Sequence, residues 1–310
     1  MFKPRKTSRF VVSILTAIGT GIVFAFLVIS GSKLIFETFL IPNFSKSLYY
    51  ISTNTAAIFD GREVIRSVKE FISIDKNSIS AASYIVTSLE DKKVLFQKEA
   101  DTSLPIASLT KLVTAVVATK LMEGDQMIEI NKNILATNGN TARFRLGEKF
   151  TVEEILYPLL MVSSNDAAEA LARSYGREEF IKAMNDWTNS VGAYRTYFKD
   201  SSGLSVKNVS TARDISIIVD WIYKNRPDLL EITHTKSKTI RVHTWINPTS
   251  LLNLSIYIGG KNGYTPEANR TGVSLFKVGK PEKVYSVVVL GSSNRDDDIM
   301  VALDKALDRK

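Results

Sequence analysis

Between Ser83 and Leu307 the spacing of apolar residues changes twice, and this order limits the folds open to the chain. Two short strand-like runs come first, Tyr84–Leu89 and Val94–Gln97, joined across Glu90-Asp91-Lys92. Helical patterns follow at 105–122, from Thr151 to about Val162, at 165–175, at 177–190 and from Thr211 to Tyr223. Thr151-Val-Glu-Glu154 reads as a capping box, and Gly176 and Gly192 act as stops. Strand-like runs return at 239–243, 272–278 and 284–290. The tail from Asp298 carries Ile299, Met300, Leu303 and Leu307 between charges and reads as a closing amphipathic helix. Strands, a helical block, strands and a last helix give an α+β domain over 81–310. Its antiparallel sheet is flanked by helices, with an all-helical block beside it.

Residues 1–9 hold Lys3, Arg5, Lys6 and Arg9, half of the net charge of +8. The next twenty residues, Phe10–Ile29, carry no charged side chain. As a helix they span about 30 Å, one hydrocarbon core. The expectation is a transmembrane signal anchor over 10–29, with residues 1–9 in the cytoplasm and the rest outside the cell. A cleaved signal peptide is the rival reading, but Val28-Ile29-Ser30 is a poor processing site. Ala17, Gly21 and Ala25 form a small-residue stripe of the kind that pairs membrane helices or merely fills them. Residues 30–80 mix apolar and charged positions around Pro42 and read as a tether.

Composition closes several routes. Hydrophobic residues make up 45% and charged ones 23%, so a packed core is expected. There is no cysteine, which excludes disulfides, thiol nucleophiles and zinc–thiolate sites. His234 and His243 have no acidic neighbour at ligand spacing, so no metal and no cofactor is expected. The charge is not interleaved with aromatic residues, so no nucleic-acid partner is expected.

The chemistry-bearing stretch is Pro105-Ile106-Ala107-Ser108-Leu109-Thr110-Lys111. In a helix, Ser108 and Lys111 lie one turn apart on one face. A desolvated, uncharged lysine can take the hydroxyl proton and turn serine into a nucleophile. Pro105 suits a first helical turn. Ser73–Lys76 and Ser274–Lys277 share the spacing. The first lacks a helical stripe, and the second lies in an alternating run that sends the two side chains to opposite faces.

Ser163-Ser164-Asn165 sits between two helical patterns. A hydroxyl and an amide at such a junction can project into a cleft, or the segment can simply cap a helix. Ser52-Thr53-Asn54 and Ser292-Ser293-Asn294 repeat the spacing. Lys261-Asn262-Gly263-Tyr264-Thr265 follows Gly259-Gly260. It offers a cation for a substrate carboxylate and glycines for close backbone approach, though Asn262-Gly263 also reads as a hairpin turn. Lys277-Val278-Gly279 is a decoy for the same pattern.

S-x-x-K, then S-x-N, then K-x-G in this order is the motif set of penicillin-binding proteins and serine β-lactamases. The chain resembles the serine D-alanyl-D-alanine carboxypeptidases of that superfamily over about 83–295. Asp200-Ser-Ser-Gly203-Leu204, Ser210-Thr-Ala-Arg213-Asp214 and Asn247-Pro-Thr-Ser-Leu251-Leu252 add to the resemblance. It departs at Asn262, where the family carries threonine or serine, and at Ser164, where glycine is common. The resemblance implies a β-lactamase/transpeptidase-like fold and hydrolysis of the terminal D-Ala-D-Ala bond of peptidoglycan stem peptides. Ser108 is then the nucleophile and Lys111 its base, kept neutral by burial and by Lys261. Ser163 relays a proton, and Asn165 positions Lys111 and substrate. Lys261, Asn262 and Thr265 hold the terminal carboxylate, and the backbone of Ser108 and Tyr264 forms the oxyanion hole. β-Lactams are expected as covalent inhibitors. The alternatives are a D,D-endopeptidase with the same residues and a catalytically impaired wall-binding module. A β-lactamase with a glutamate-activated water is disfavoured, because Glu169, Glu178 and Glu179 fall in helical patterns.

Overall fold

The structure, a computed structural model, describes residues 78–308 apart from Asn140 and Lys280, and the backbone of three strands nearer the amino terminus. Those strands form a meander by themselves: β1 (Val11–Ile18), β2 (Gly21–Ser30) and β3 (Lys33–Phe39). The expected helix over 10–29 is replaced by the β1–β2 hairpin, with Val11 opposite Val28 and Ile18 opposite Gly21. The run is rich in valine, isoleucine and phenylalanine, which favour strands, and a continuous apolar run has no period to separate strand from helix. No helix among the described residues is long and apolar enough to cross a membrane. Most of the expected tether lies outside the described residues.

The chain divides into two compact units, 1–66 and 67–310. The second is built on a five-stranded antiparallel sheet. Its strands β4 (Ser83–Ser88), β5 (Lys93–Lys98), β12 (Tyr257–Thr265), β13 (Asn269–Val278) and β14 (Lys283–Ser292) run in the order β12-β13-β14-β4-β5. The first and last strands of this sheet in sequence therefore pair at its middle, β14 with β4 (Val287 opposite Val86).

Both faces are covered. On one, Tyr84, Val86, Phe276, Tyr285, Val287 and Val289 meet the closing helix α8 (Arg295–Asp308). Ile299, Ala302, Leu303 and Ala306 supply its buried stripe, at the i, i+3, i+4, i+7 spacing of one helix face. On the other, Ile85, Val273, Leu275, Val288 and Leu290 join the large core of the helical block. Helix α6 (Ala212–Asn225) contributes Ile215, Ile218, Val219 and Ile222 at the same spacing, opened by Thr211, whose side chain accepts from the Asp214 N–H.

At the centre of the block is α1 (Thr110–Leu121), buried at every position from Thr110 to Ala118. Around it lie α2 (Lys132–Leu135), α3 (Val152–Met161), α4 (Asn165–Tyr175), α5 (Arg177–Ser190) and α7 (Pro227–His234). Helix α3 opens with the expected capping box, Thr151 and Glu154 exchanging side-chain and backbone bonds. Short ribbons finish the domain: β6 (Leu104–Pro105) with β9 (Val209–Ser210), β7 (Met127–Glu129) with β8 (Lys149–Thr151), and β10 (Ser237–Ile240) with β11 (His243–Ile246).

Three local expectations change. Pro105 ends strand β6 instead of opening a helix. The run 239–243 is a hairpin with its turn at Arg241, where φ is +52°, and not one strand. Asn262-Gly263 does not turn: β12 runs through it, and the chain reverses at 266–268. Sheet pairing of Lys261 with Val273 and Gly263 with Thr271 outweighs the local turn preference. His243, without an acidic neighbour in sequence, bonds Glu148 across the fold at 3.0 Å.

Phe276 is fully buried against α8. Its replacement by alanine is expected to cost about 3–5 kcal/mol in denaturant unfolding of the full chain, with the midpoint falling and the slope unchanged.

Candidate active site

Ser108 lies in a single 3-10 turn, Ala107–Leu109, that runs into α1, and Lys111 falls in the first turn of that helix. The two side chains meet as the spacing demands, with Lys111 Nζ 2.8 Å from Ser108 Oγ. Lys111 Nζ also reaches Asn165 Oδ1 at 2.7 Å and the Ser202 carbonyl at 2.5 Å. A charged ammonium donates to all three. A neutral amine has two hydrogens and one lone pair, and the amide oxygen and carbonyl can only accept. Neutral Lys111 therefore donates to Asn165 and Ser202 and keeps its lone pair for the Ser108 O–H. This hydrogen-bond pattern makes the amine an acceptor of the serine proton.

Burial favours that neutral state. Lys111 is fully buried, and desolvation brings its pKa down from 10.5 to about 7, against the opposing pull of Asp200 and Asp166. Lys111 and Lys261 act on one another as expected, because charge on either amine disfavours charge on the other. Lys261 itself is held well below 10.5, first by burial, then by Lys111 and by Arg295.

Lys261 on edge strand β12 donates to Ser163 Oγ at 2.8 Å and to the Asn262 carbonyl at 2.7 Å. The α3–α4 junction divides its tasks among three residues. Ser164 is the helix cap, accepting from the Ala167 N–H, while Ser163 and Asn165 on either side reach the two lysines. This requires Ser163 to adopt a left-handed φ of +58°. Such backbone strain persists where surrounding contacts enforce it. Asn165 Nδ2 donates to the Asn138 carbonyl at 2.8 Å, which orients its oxygen toward Lys111.

Close backbone approach completes the cleft. A Cβ on Gly263 would stand 2.9 Å from the Ser108 nitrogen and 2.5 Å from Thr271 Oγ1, so only glycine lets β12 lie beside the serine. A Cβ on Gly203, where φ is +87°, would meet the Ala107 carbonyl at 2.0 Å. Ala107 itself has φ +48°. Asn262, half-buried, lines a small cavity of about 80 Å³ with Ser163 and Lys261. Tyr264 is exposed, with the Arg270 guanidinium over its ring. Thr265 ends the strand and its hydroxyl accepts from the Ala268 N–H, which directs it into the 266–268 turn.

The decoys fall elsewhere. Ser274 and Lys277 sit in β13, one buried and the other exposed. Ser292 bonds Asp298 at the start of α8, and Lys277-Val278-Gly279 ends β13. Ser73–Lys76 and Ser52–Asn54 lie outside the described residues.

Several groups were given no role from the sequence. The Ser202 carbonyl is a backbone atom placed by the 200–205 loop, in which Asp200 accepts from the N–H groups of Ser202, Gly203 and Ser205. Asn208 fastens this loop to α1 by donating to Thr110 Oγ1 at 3.1 Å. Arg295 stacks against Gly272, the strand partner of Asn262, 34 positions beyond Lys261. Only the Asp200-Ser-Ser-Gly203-Leu204 stretch of the resemblance pointed to any of these.

A serine with an amine base in a cleft between an antiparallel sheet edge and a helical block defines a serine acyl-transfer enzyme of the penicillin-binding protein class. The comparisons narrow this. The family model described as D-alanyl-D-alanine carboxypeptidase matches residues 70–294, so the chain belongs to the S11 family of serine peptidases. It is 32% identical over 215 residues to a D-alanyl-D-alanine endopeptidase of Escherichia coli K12, covering 68% of each chain. It is 34% identical over 169 residues to one of Pseudomonas aeruginosa, covering 53% of this chain and 54% of that one. The chain thus spans 54% to 68% of the length of these curated relatives. Among solved structures it is similar to a D-alanyl-D-alanine carboxypeptidase from Mycobacterium tuberculosis H37Rv, with TM-score 0.70, 26% identity and coverage of 74% and 92%. It is also similar to penicillin-binding protein D2 of Listeria monocytogenes in its ampicillin-bound form, with TM-score 0.66, 25% identity and coverage of 75% and 97%.

The Lys111 side-chain resonance is expected to titrate with a midpoint near 7, protonated below and neutral above. An unfolded lysine keeps its proton to about pH 10.4. Between these values the folded chain binds one proton fewer, so this group makes stability rise with pH over that window, measurable by denaturant unfolding.

Proposed function

We propose that the chain hydrolyses D-Ala-D-Ala bonds of peptidoglycan stem peptides by way of an ester on Ser108. The observation carrying this reading is the three-way contact of buried Lys111 with Ser108, Asn165 and the Ser202 carbonyl. Lys111 takes the Ser108 proton as Oγ attacks the carbonyl of the penultimate D-alanine. The developing oxyanion lies between the N–H groups of Ser108 and Tyr264. The C–N bond then breaks, and the proton that Lys111 took from Ser108 passes through Ser163, which Lys261 holds by its oxygen, to the departing D-alanine amine, leaving Lys111 neutral again. Water next attacks the ester, its proton passes back to Ser108 Oγ through Lys111, and the shortened peptide leaves. The substrate's terminal carboxylate lies at Lys261 with Arg295 close by, and the anion favours the charged form of Lys261 that burial alone disfavours. Asn262 stands where a relative's hydroxyl would bind that carboxylate, and its amide N–H₂ can donate in its place.

β-Lactams acylate the same serine in this reading, supported by the similarity to an ampicillin-bound penicillin-binding protein. A second reading, cleavage of D-Ala-containing cross-links, is favoured by the endopeptidase relatives at 32% and 34% identity. Both reactions use the same residues and differ in what the leaving side carries. Wild-type chain is expected to label with fluorescent penicillin at Ser108 and to release D-alanine from a pentapeptide. Ser108→Ala should lose both, with release down at least about 10³-fold. Cleavage of a cross-linked dimer with no D-alanine release would move the assignment to endopeptidase. Binding without any turnover would leave a wall-binding module.

The substrate lies outside the cytoplasmic membrane, and the uncharged run 10–29 behind four basic residues suits membrane attachment with the catalytic unit on the outer side. Full-length chain is expected to sediment with membranes and to resist carbonate extraction, whereas chain lacking residues 1–30 should stay in the supernatant. Equal solubility of the two would remove the anchor.

A further inference from the structure

A second cavity, a groove of about 500 Å³, opens beside the cleft and shares no lining residue with the small cavity at Lys261. Its near wall is Asn138 and Ser202, whose carbonyls accept from Asn165 and Lys111. Its far end is Glu169, Arg173 and Arg177. Asn165, Glu169 and Arg173 stand at i, i+4 and i+8 along α4, so the groove follows one face of that helix for about 12 Å from the Lys111–Asn165 bond.

The chemistry of the far end is specific. Glu169 is buried at 7% side-chain exposure and accepts from Arg173 Nε at 3.0 Å, from Arg177 Nε at 3.0 Å and from Ser201 Oγ at 3.3 Å. Both guanidinium groups are oriented through Nε alone. Among the described residues their Nη groups have no protein acceptor, and both side chains are more than a third exposed. The other acid of the groove, Asp200, is buried and occupied by the loop N–H groups of Ser202, Gly203 and Ser205. Two cationic forks with free outer edges therefore line the groove, while its two carboxylates are already engaged, Glu169 by both Nε groups and Asp200 by the loop. A fork of this kind binds a carboxylate bidentately.

We infer that this groove takes a carboxylate carried by the acyl side of the peptide substrate, two to three residues ahead of the scissile carbonyl, on Arg173 and Arg177. An extended peptide advances about 3.3–3.6 Å per residue, so two to three residues cover about 7–11 Å. Side chains of α4 lean toward its amino terminus, which brings the Arg173 guanidinium back along the groove to meet that reach, and Arg177, at the start of α5, joins it on their shared Glu169. The terminal carboxylate sits at Lys261 and the acidic acyl side runs the other way past Asn165. The cleft then selects a substrate acidic at both ends. This rests on the reading of the cleft as a D,D-peptidase site.

The test uses the full chain with Ser108→Ala, so that binding is read without turnover. Two pentapeptides ending in D-Ala-D-Ala are compared by calorimetry, identical but for a free carboxylate or its carboxamide two residues ahead of the scissile carbonyl. The carboxylate peptide is expected to bind about tenfold tighter, with the preference shrinking as salt rises. Adding R173Q and R177Q should bring the ratio to about one, and R173K with R177K should restore part of it. Equal affinity of the two peptides for the chain with both arginines overturns the inference, even if the glutamine variants fail to fold. So does a ratio that the glutamine changes leave intact. Penicillin labelling of the parent chain with Ser108 reports separately on the nucleophile: its loss would defeat the peptidase reading while the peptide preference still decides the groove.

Discussion

The site depends on burying an amine without giving it a carboxylate. Lys111 is enclosed at the start of α1 with three oxygen partners, none of which carries a charge. A direct ion pair would hold the proton; desolvation with neutral partners releases it near neutrality. Asp166 and Asp200 are close enough to pull the other way, and each is engaged elsewhere. Asp200 is occupied by loop N–H groups, and Asp166 bonds Ser164 and the Ala167 N–H, with its own pKa raised by burial. The second-lysine site repeats the principle, since Lys261 also meets only a hydroxyl and a carbonyl. Charge on either lysine disfavours charge on the other, and burial together with this mutual repulsion holds Lys261 well below its ordinary pKa.

Holding neutral partners around a buried amine requires backbone where side chains would not fit. The Ser202 carbonyl reaches Lys111 because Gly203 lets the loop touch Ala107, and Gly263 lets β12 lie against the Ser108 N–H. Ala107 and Ser163, at positive φ, sit immediately beside the reactive hydroxyl and at the hydroxyl of the second motif. The strain is local and its surroundings explain it: Thr110 Oγ1 donates to the Ala107 carbonyl, Thr271 Oγ1 to that of Ile106, and Lys261 to Ser163. The fold's contribution to chemistry is this set of close approaches between a sheet edge, one helix start and two loops.

Legibility followed range. The α+β order, the capping box at Thr151, the buried stripe of α8 and the Ser108–Lys111 contact all depend on neighbours within about one helical turn, and all were read from spacing. Failures came where distant pairing overrode local preference. Asn262-Gly263 became mid-strand because β13 paired with it, and 239–243 folded back because Ser237–Ile240 found His243–Ile246. The apolar run at 10–29 gave no period, and strand–strand pairing was available to it. Helix α7 was missed because Pro227 opens it, and proline reads equally well as a break.

By itself the sequence determined which residues carry reactive groups and that Ser108 and Lys111 stand one turn apart, because helix geometry fixes that distance whatever surrounds it. Tertiary structure alone decided that Lys111 gives up its proton near pH 7, that Ser163 answers to Lys261 and Asn165 to Lys111, and that Arg173 and Arg177 frame a groove leading to them. Solvent exclusion and the meeting of atoms separated by 54 to 98 positions are properties of packing, and no local pattern encodes them.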